Sequence, residues 1–133
     1  MPAFVVPGSG RISMRAGRIG AITLPAQLGA VVRQRLHTRR AQPGPVVSHL
    51  RSKRWTFLIV PNVPADDIRL FAELFRLNAS VAPFGAEIAL PSPADQRTSL
   101  RIWVHAPRDS YRPSGMSIIE AIRACAAPRP RQP

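Results

Sequence analysis

The chain has 133 residues, a length that suits one domain with a hydrophobic core of its own. Its hydrophobic fraction of 45% excludes a wholly disordered protein, and no apolar run reaches the ~20 residues that a membrane-spanning helix needs. With 19 basic and 7 acidic residues the formal net charge is +12, which favours polyanionic partners: DNA, RNA or an acidic protein surface.

The N-terminal segment and the cysteine content bear on where the protein resides. We expect a cytoplasmic protein, because the apolar stretch over residues 1–7 is proline-interrupted, lacks a preceding basic region and is too short for a signal-peptide core. Cys125 is the one cysteine, so it has no partner for an intramolecular disulfide and is expected to be a structural thiol.

Composition marks both ends of the chain as irregular. Residues 1–17 contain a Pro-Gly-Ser-Gly run followed by arginines, which predicts a flexible N-terminal arm. Residues 128–133 read Pro-Arg-Pro-Arg-Gln-Pro, a composition that predicts a disordered tail. A single α+β domain is therefore expected over residues 18–127.

The first half of this domain predicts a strand, a helix and a hairpin. Residues 19–24 are an apolar run typical of a short strand, and Pro25 suits the first turn of a helix. Apolar residues at helical spacing continue the helix to Arg39 and Arg40, whose charges favour a helix C-terminus. After a Pro-Gly-Pro break, residues 46–49 and 55–60 are predicted to be strands joined by a basic turn.

The second half predicts two more helices and three strands. Asp66 and Asp67 suit the start of a helix that runs to Leu77. Its predicted apolar face is Ile68, Phe71, Leu74 and Phe75. Strands are predicted over 80–84, 87–90 and 101–105, and a last helix is capped by Ser114 or Ser117. The order β-α-ββ-α-ββ-β-α predicts an α+β fold, a mostly antiparallel mixed sheet packed with about three helices.

The sequence contains no complete catalytic or metal-binding pattern. Helix capping accounts for the one adjacent acidic pair, Asp66 and Asp67. The three histidines have no partner at the spacing of a zinc site, so neither a metal nor a cofactor is predicted. An unrecognised enzyme site stays open as a minor alternative. Its candidate residues would be His49, His105, Glu87 and Asp109.

Basic residues beside aromatic ones are the more suggestive feature. Arg51, Lys53 and Arg54 fill the predicted turn next to Trp55, and Arg39 and Arg40 end the first helix. Such residues grip phosphates, so these five are the predicted nucleic-acid contacts. The tryptophans, Trp55 and Trp103, lie in apolar strands, where a core position is favoured over a stacking surface.

Several short segments resemble the N-terminal domain of bifunctional DNA primase/polymerases. They lie within residues 44–107: 44–47, 54–58, 85–93 and 102–104. In that family a strand runs into a Pro-Ser turn, a loop and a strand with an aromatic residue, as in Leu90–Pro93 and Arg101–Trp103 here. The family's metal-binding acidic pair has no counterpart on a predicted strand. The resemblance therefore implies a catalytically degenerate relative, and no catalytic residue carries over.

Two hypotheses from different functional classes follow. The leading one is a non-enzymatic, nucleic-acid-associated accessory protein that binds the phosphate backbone of DNA or RNA through a basic surface. The alternative is a protein–protein interaction module, homo- or hetero-oligomeric, that uses the apolar helix over residues 66–77. We expect no membrane partner.

Overall fold

The structure, a computed structural model, describes residues 3–5, 12–92 and 101–126. The strands are β1 (Ala3–Val5), β2 (Ile12–Arg15), β3 (Gly20–Pro25), β4 (Val46–His49), β5 (Arg54–Ile59), β6 (Ser80–Val81), β7 (Glu87–Leu90) and β8 (Arg101–His105). The helices are α1 (Ala26–Thr38), α2 (Ile68–Arg76) and α3 (Gly115–Ala126). The predicted tail over 128–133 lies outside the described residues.

A five-stranded antiparallel sheet in the order β6-β3-β5-β4-β8 is the centre of the fold. α1 joins β3 to β4, and α2 joins β5 to β6. Six of these elements, from β3 to β6, therefore form the β-α-β-β-α-β arrangement, to which β8 adds a strand beside β4. The predicted α+β class, with three helices and a mostly antiparallel sheet, is confirmed.

Strand alternation gives this sheet two apolar faces. Ile22 and Leu24 of β3, with Phe57 and Ile59 of β5, face the helices. They pack there against the buried residues of the helices: Val32, Leu36, Leu70, Leu74, Ile118, Ile119, Ala121 and Ile122. Trp55 lies at the edge of this core, half-buried against Gly29 of α1. Trp55 thus packs against the core from its boundary and is not one of its buried members.

A second, three-stranded sheet in the order β1-β2-β7 covers the other face. Met14, Ile88 and Leu90 pack against Ala21 and Leu58 of the central sheet. The prediction of a flexible arm over residues 1–17 is wrong where the chain is described, at 3–5 and 12–17. Local proline and glycine content suggested a loop, but β2 pairs with β7, a partner distant in sequence that local composition does not reveal.

Helix α2 turns a different face to the core than its pattern predicted. Asp67 caps it as expected, since its Oδ1 accepts a hydrogen bond from the Leu70 amide at 3.0 Å. Leu70 and Leu74 are buried, whereas Ile68 and Phe75 are 81% and 80% exposed. The predicted apolar face is thus wrong at both residues, because the helix packs through its leucines.

Met14 tests the packing of the second sheet. Its side chain is fully buried, so Met14→Ala is expected to lower the free energy of unfolding by about 2–5 kcal/mol through lost contacts and a cavity. Urea unfolding measures this as a lower midpoint at unchanged slope. Arg18→Ala, at an exposed position in the next loop, is the control. An unchanged midpoint for Met14→Ala would mean that β2 is not packed in solution.

Candidate anion-binding cleft

A cleft of about 530 Å³ opens at one end of the central sheet. The end of α1, the linker over 41–45 and the loop over 106–112 meet there, because Val46 at the start of β4 pairs with His105 at the end of β8. Five basic side chains line the cleft: His37, Arg40, His105, Arg108 and Arg112. We call this site the basic cleft.

The end of α1 holds Arg40 in an uncommon backbone conformation. The Arg40 amide donates to the carbonyl of His37 at 3.0 Å, and the Ala41 amide donates to that of Leu36 at 2.8 Å. This is the Schellman pattern of helix termination. Arg40 occupies its left-handed position, with φ of 56°, where glycine is the usual residue. A side chain there costs stability, which marks Arg40 as a candidate functional residue.

Gly44 joins the two walls of the cleft. Its φ is 69°, and a Cβ at this position would lie 2.5 Å from Cδ of Pro113. The Pro113 carbonyl in turn accepts a hydrogen bond from the Val60 amide at 2.8 Å, just past the end of β5. The linker before β4 and the loop after β8 are therefore held together against the sheet.

Side chains of the 106–112 loop organise its backbone. Oδ1 of Asp109 accepts a hydrogen bond from the Tyr111 amide at 2.8 Å. Nη1 of Arg112 donates to the carbonyls of Asp109, at 3.0 Å, and Tyr111, at 2.6 Å. The buried Nε of Arg112 has no acceptor among the described residues. An unmet buried donor of this kind is unfavourable.

The electrostatic environment of the cleft is positive. Burial, with Arg33 and Arg108 nearby, lowers the pKa of His105 below its usual value near 6.5, so this imidazole is neutral at pH 7. In the described part of the chain, no carboxylate forms an ion pair with Arg40 or Arg108. Asp109 is the acid that lines the cleft. The arrangement is suited to attract an anion.

The five predicted contact residues do not form one patch. Arg51 and Lys53 are exposed in the β4–β5 turn, and the Ala26 amide donates to the Lys53 carbonyl at 2.9 Å. This turn thus lies at the start of α1, whereas Arg39 and Arg40 follow its end. The 13 residues of α1 separate the two groups by about 20 Å.

Arg54, also predicted as a contact, has a structural role. Its Nη2 donates to the carbonyl of Thr23 at 3.2 Å and to that of Asn78 at 2.6 Å. These bonds tie β5 to the neighbouring strand β3 and to the end of the α2 segment. A guanidinium committed in this way is less available for phosphate than the exposed side chains of Arg51 and Lys53.

The candidate enzyme residues fall into two separate places. β4 and β8 are antiparallel, so His49 and His105 lie at opposite ends of the pair, about 10 Å apart along the strands. Nε2 of His49 is 2.9 Å from Oγ1 of Thr56, and Glu87 lines the same 260 Å³ cavity. The described residues contain no cluster of three metal-ligating side chains.

Sequence reasoning missed His37, Arg108 and Arg112 as members of a basic site. The signal available in the sequence was the polar stretch over residues 109–114, which an entry into the last helix partly explains. Ser114 does cap the last helix, since the Ser117 amide donates a hydrogen bond to Oγ of Ser114 at 3.0 Å. What the pattern did not reveal is that this loop faces the end of α1.

Comparison with known proteins gave no match to a family model, a curated protein or a solved structure. Among the described residues, no helix has the length and apolar character needed to cross a membrane. The functional argument therefore depends on the basic cleft and on the exposed surfaces of the fold.

Arg40→Gly is expected to stabilise the protein while weakening anion binding. Glycine relieves the left-handed backbone but loosens the unfolded chain, so the net gain is about 0.5–1 kcal/mol. Urea unfolding measures the gain, and isothermal titration with inorganic pyrophosphate measures the loss of affinity. Arg39→Gly, one residue earlier at φ of −89°, is the control and should destabilise. A destabilised Arg40→Gly variant would contradict the proposed role of the helix end.

Proposed function

We propose that the protein is a non-enzymatic, nucleic-acid-associated accessory protein that binds phosphate groups through the basic cleft. The observation that carries this proposal is the convergence of five basic side chains and one acid on a cleft of about 530 Å³. The net charge of +12 supports it, because it draws a polyanion toward the surface at long range.

Arginine chemistry supports phosphate as the group that is bound. A guanidinium offers a planar fork of N–H donors that matches two phosphate oxygens. Arg40 and Arg108 are exposed and, among the described residues, have no carboxylate partner that would have to be displaced. Binding of this kind is salt-sensitive, because it releases counterions from the nucleic acid.

The central sheet offers little surface for reading bases. Its helix-free face is covered by the second sheet, and the aromatic residues of β5, Trp55 and Phe57, point toward the helices. Stacking of bases on an open sheet, as in other nucleic-acid-binding domains, is therefore disfavoured. We infer contacts that are mainly to phosphate and only weakly sequence-specific.

The resemblance to primase/polymerase domains remains a prediction. It is compatible with a nucleic-acid partner, and no described strand carries two acidic residues that could hold catalytic metal ions. The proposal of an accessory protein does not depend on this relationship, since the basic cleft supports phosphate binding by itself.

Neutralising the cleft is expected to weaken nucleic-acid binding more than neutralising the β4–β5 turn. The cleft variant is Arg40→Gln with Arg108→Gln, and the matched control is Arg51→Gln with Lys53→Gln. Both remove two positive charges, so they alter long-range attraction alike. Fluorescence anisotropy with a single-stranded oligonucleotide across a salt series should give a salt slope smaller by about two phosphate contacts for the cleft variant.

The control decides where the contacts lie. A larger loss for the turn variant would move the site to the sequence-predicted residues Arg51 and Lys53. Equal, small losses for both variants would indicate diffuse attraction without a defined site. Wild-type protein that fails to bind DNA or RNA even at low salt would overturn the proposed function.

A second candidate function, self-association, has one specific observation in its favour. Ile68 and Phe75 are seven residues apart and thus share one face of α2, and both are about 80% exposed. Phe84 is 91% exposed and lines a cavity of about 320 Å³ together with Phe71. Exposed apolar side chains that share a helix face are typical of an interface.

Under this second hypothesis the wild-type chain forms a dimer at micromolar concentration. Ile68→Ser with Phe75→Ser is expected to shift the mass measured by sedimentation equilibrium to that of the monomer. The fold should be retained, because neither side chain lies in the core. Val31→Ser with Leu50→Ser, at exposed positions elsewhere, is the control. A wild-type monomer across that range would contradict self-association.

A further inference from the structure

We propose that the basic cleft binds a phosphate monoester, the terminal phosphate of a nucleotide or of a nucleic-acid strand, in preference to an internal phosphodiester. This inference rests on the proposed function and names its ligand more closely. A monoester carries close to two negative charges near neutral pH, whereas each internal phosphodiester carries one. The two ligands therefore demand different arrangements of positive charge.

The distribution of the arginines favours a single, highly charged group. A protein that follows a nucleic-acid backbone lines an extended groove with cations spaced to meet successive phosphates. Here the exposed Arg40 and Arg108 line one cleft, and Arg112, whose Nη1 is committed to the loop backbone, lies beside them. Arg33 and Arg39 of α1 are exposed as well, whereas the exposed basic residues of the β4–β5 turn lie about 20 Å away along α1. This geometry concentrates charge at one point of the surface.

The cleft is also bounded and held in shape. The linker over 41–45 and the loop over 106–112 both line it, and the close approach of Gly44 to Pro113 joins them. The hydrogen bonds of Asp109 and Arg112 to the loop backbone keep the second wall in place. A chain end needs only to enter such a cleft, whereas an internal phosphate also requires a path for the strand to leave.

The charged groups around His105 couple binding of the phosphate monoester to protonation of its imidazole. The charged and titratable groups around it come from two elements. α1 contributes Arg33, His37 and Arg40. The loop after β8 contributes Arg108, Asp109, Tyr111 and Arg112. Burial, and after it the charges of Arg33 and Arg108, lower the pKa of His105. A dianion among these groups offsets the arginine charges and favours the protonated imidazole as the monoester binds.

Tyr111 allows the cleft to bind a nucleotide more tightly than inorganic phosphate. Its ring is 45% exposed and lines the same cleft. An exposed aromatic face beside a phosphate site allows a base to stack while the phosphate is held. A nucleoside monophosphate should therefore bind more tightly than inorganic phosphate.

The test compares oligonucleotides of one sequence with a 5′-phosphate or a 5′-hydroxyl, by fluorescence anisotropy at fixed ionic strength. The 5′-phosphate is expected to tighten binding about tenfold. Arg108→Gln should abolish most of this difference, whereas Lys53→Gln, the matched loss of one charge in the distant turn, should leave it intact. Equal affinity for the two oligonucleotides would overturn the inference while leaving the proposed function standing.

Competition distinguishes the two sources of the monoester. A nucleoside 5′-monophosphate and the 5′-phosphorylated oligonucleotide are each used as competitors against the bound oligonucleotide. If both displace it equally well, a free nucleotide is sufficient as the ligand. Displacement only by the oligonucleotide would assign the site to strand ends. Either result supports the monoester, whereas a nucleoside without phosphate that competes equally well would overturn it. Binding of no ligand at low salt would overturn the proposed function as well.

The pH profile gives a readout that a purely structural role would not produce. Protonation of His105 strengthens binding as the pH falls below 7, while the monoester loses its second charge below about pH 6. The advantage of the 5′-phosphate should therefore rise as the pH falls from 7, pass through a maximum and decline once the monoester loses its second charge. His105→Gln should flatten this peak, and a flat wild-type profile would contradict the proton link.

Discussion

The central sheet must be kept from water on both faces, and most of the structure follows from this constraint. Strand alternation makes both faces of β3 and β5 apolar, with Ile22 and Phe57 on one face and Ala21 and Leu58 on the other. Three helices bury the first face. A second sheet, formed by β1, β2 and β7, buries the other. The resulting three layers leave the loops at the sheet ends as the accessible surfaces.

The basic cleft is a product of this layering. β8 adds to the sheet beside β4 in antiparallel fashion, which brings the loop that follows it to the end of α1. The same pairing separates His49 from His105 and argues against a shared active site. The basic side chains therefore lie where an added strand, a helix end and a linker meet. The second sheet covers the helix-free face of the central sheet, so nucleic-acid bases cannot stack there.

Exposed apolar side chains on α2 point to a different use of the surface. The helix packs through Leu70 and Leu74, which leaves Ile68 and Phe75 on the outside. Phosphate binding in the cleft and self-association through α2 involve different elements of the fold. The two proposed functions are therefore compatible, and substitutions can test each of them without direct disturbance of the other.

By itself the sequence determined the local elements. Apolar spacing predicted α1 and α2, β-branched and aromatic runs predicted β4 and β5, and Asp67 marked a helix start, because each signal acts within a few residues. Only the tertiary structure decided that Met14 belongs to a buried strand, that Ile68 faces solvent and that Arg40 and Arg108 line one cleft. These features depend on pairing and packing between segments far apart in the chain, where local propensity carries no information.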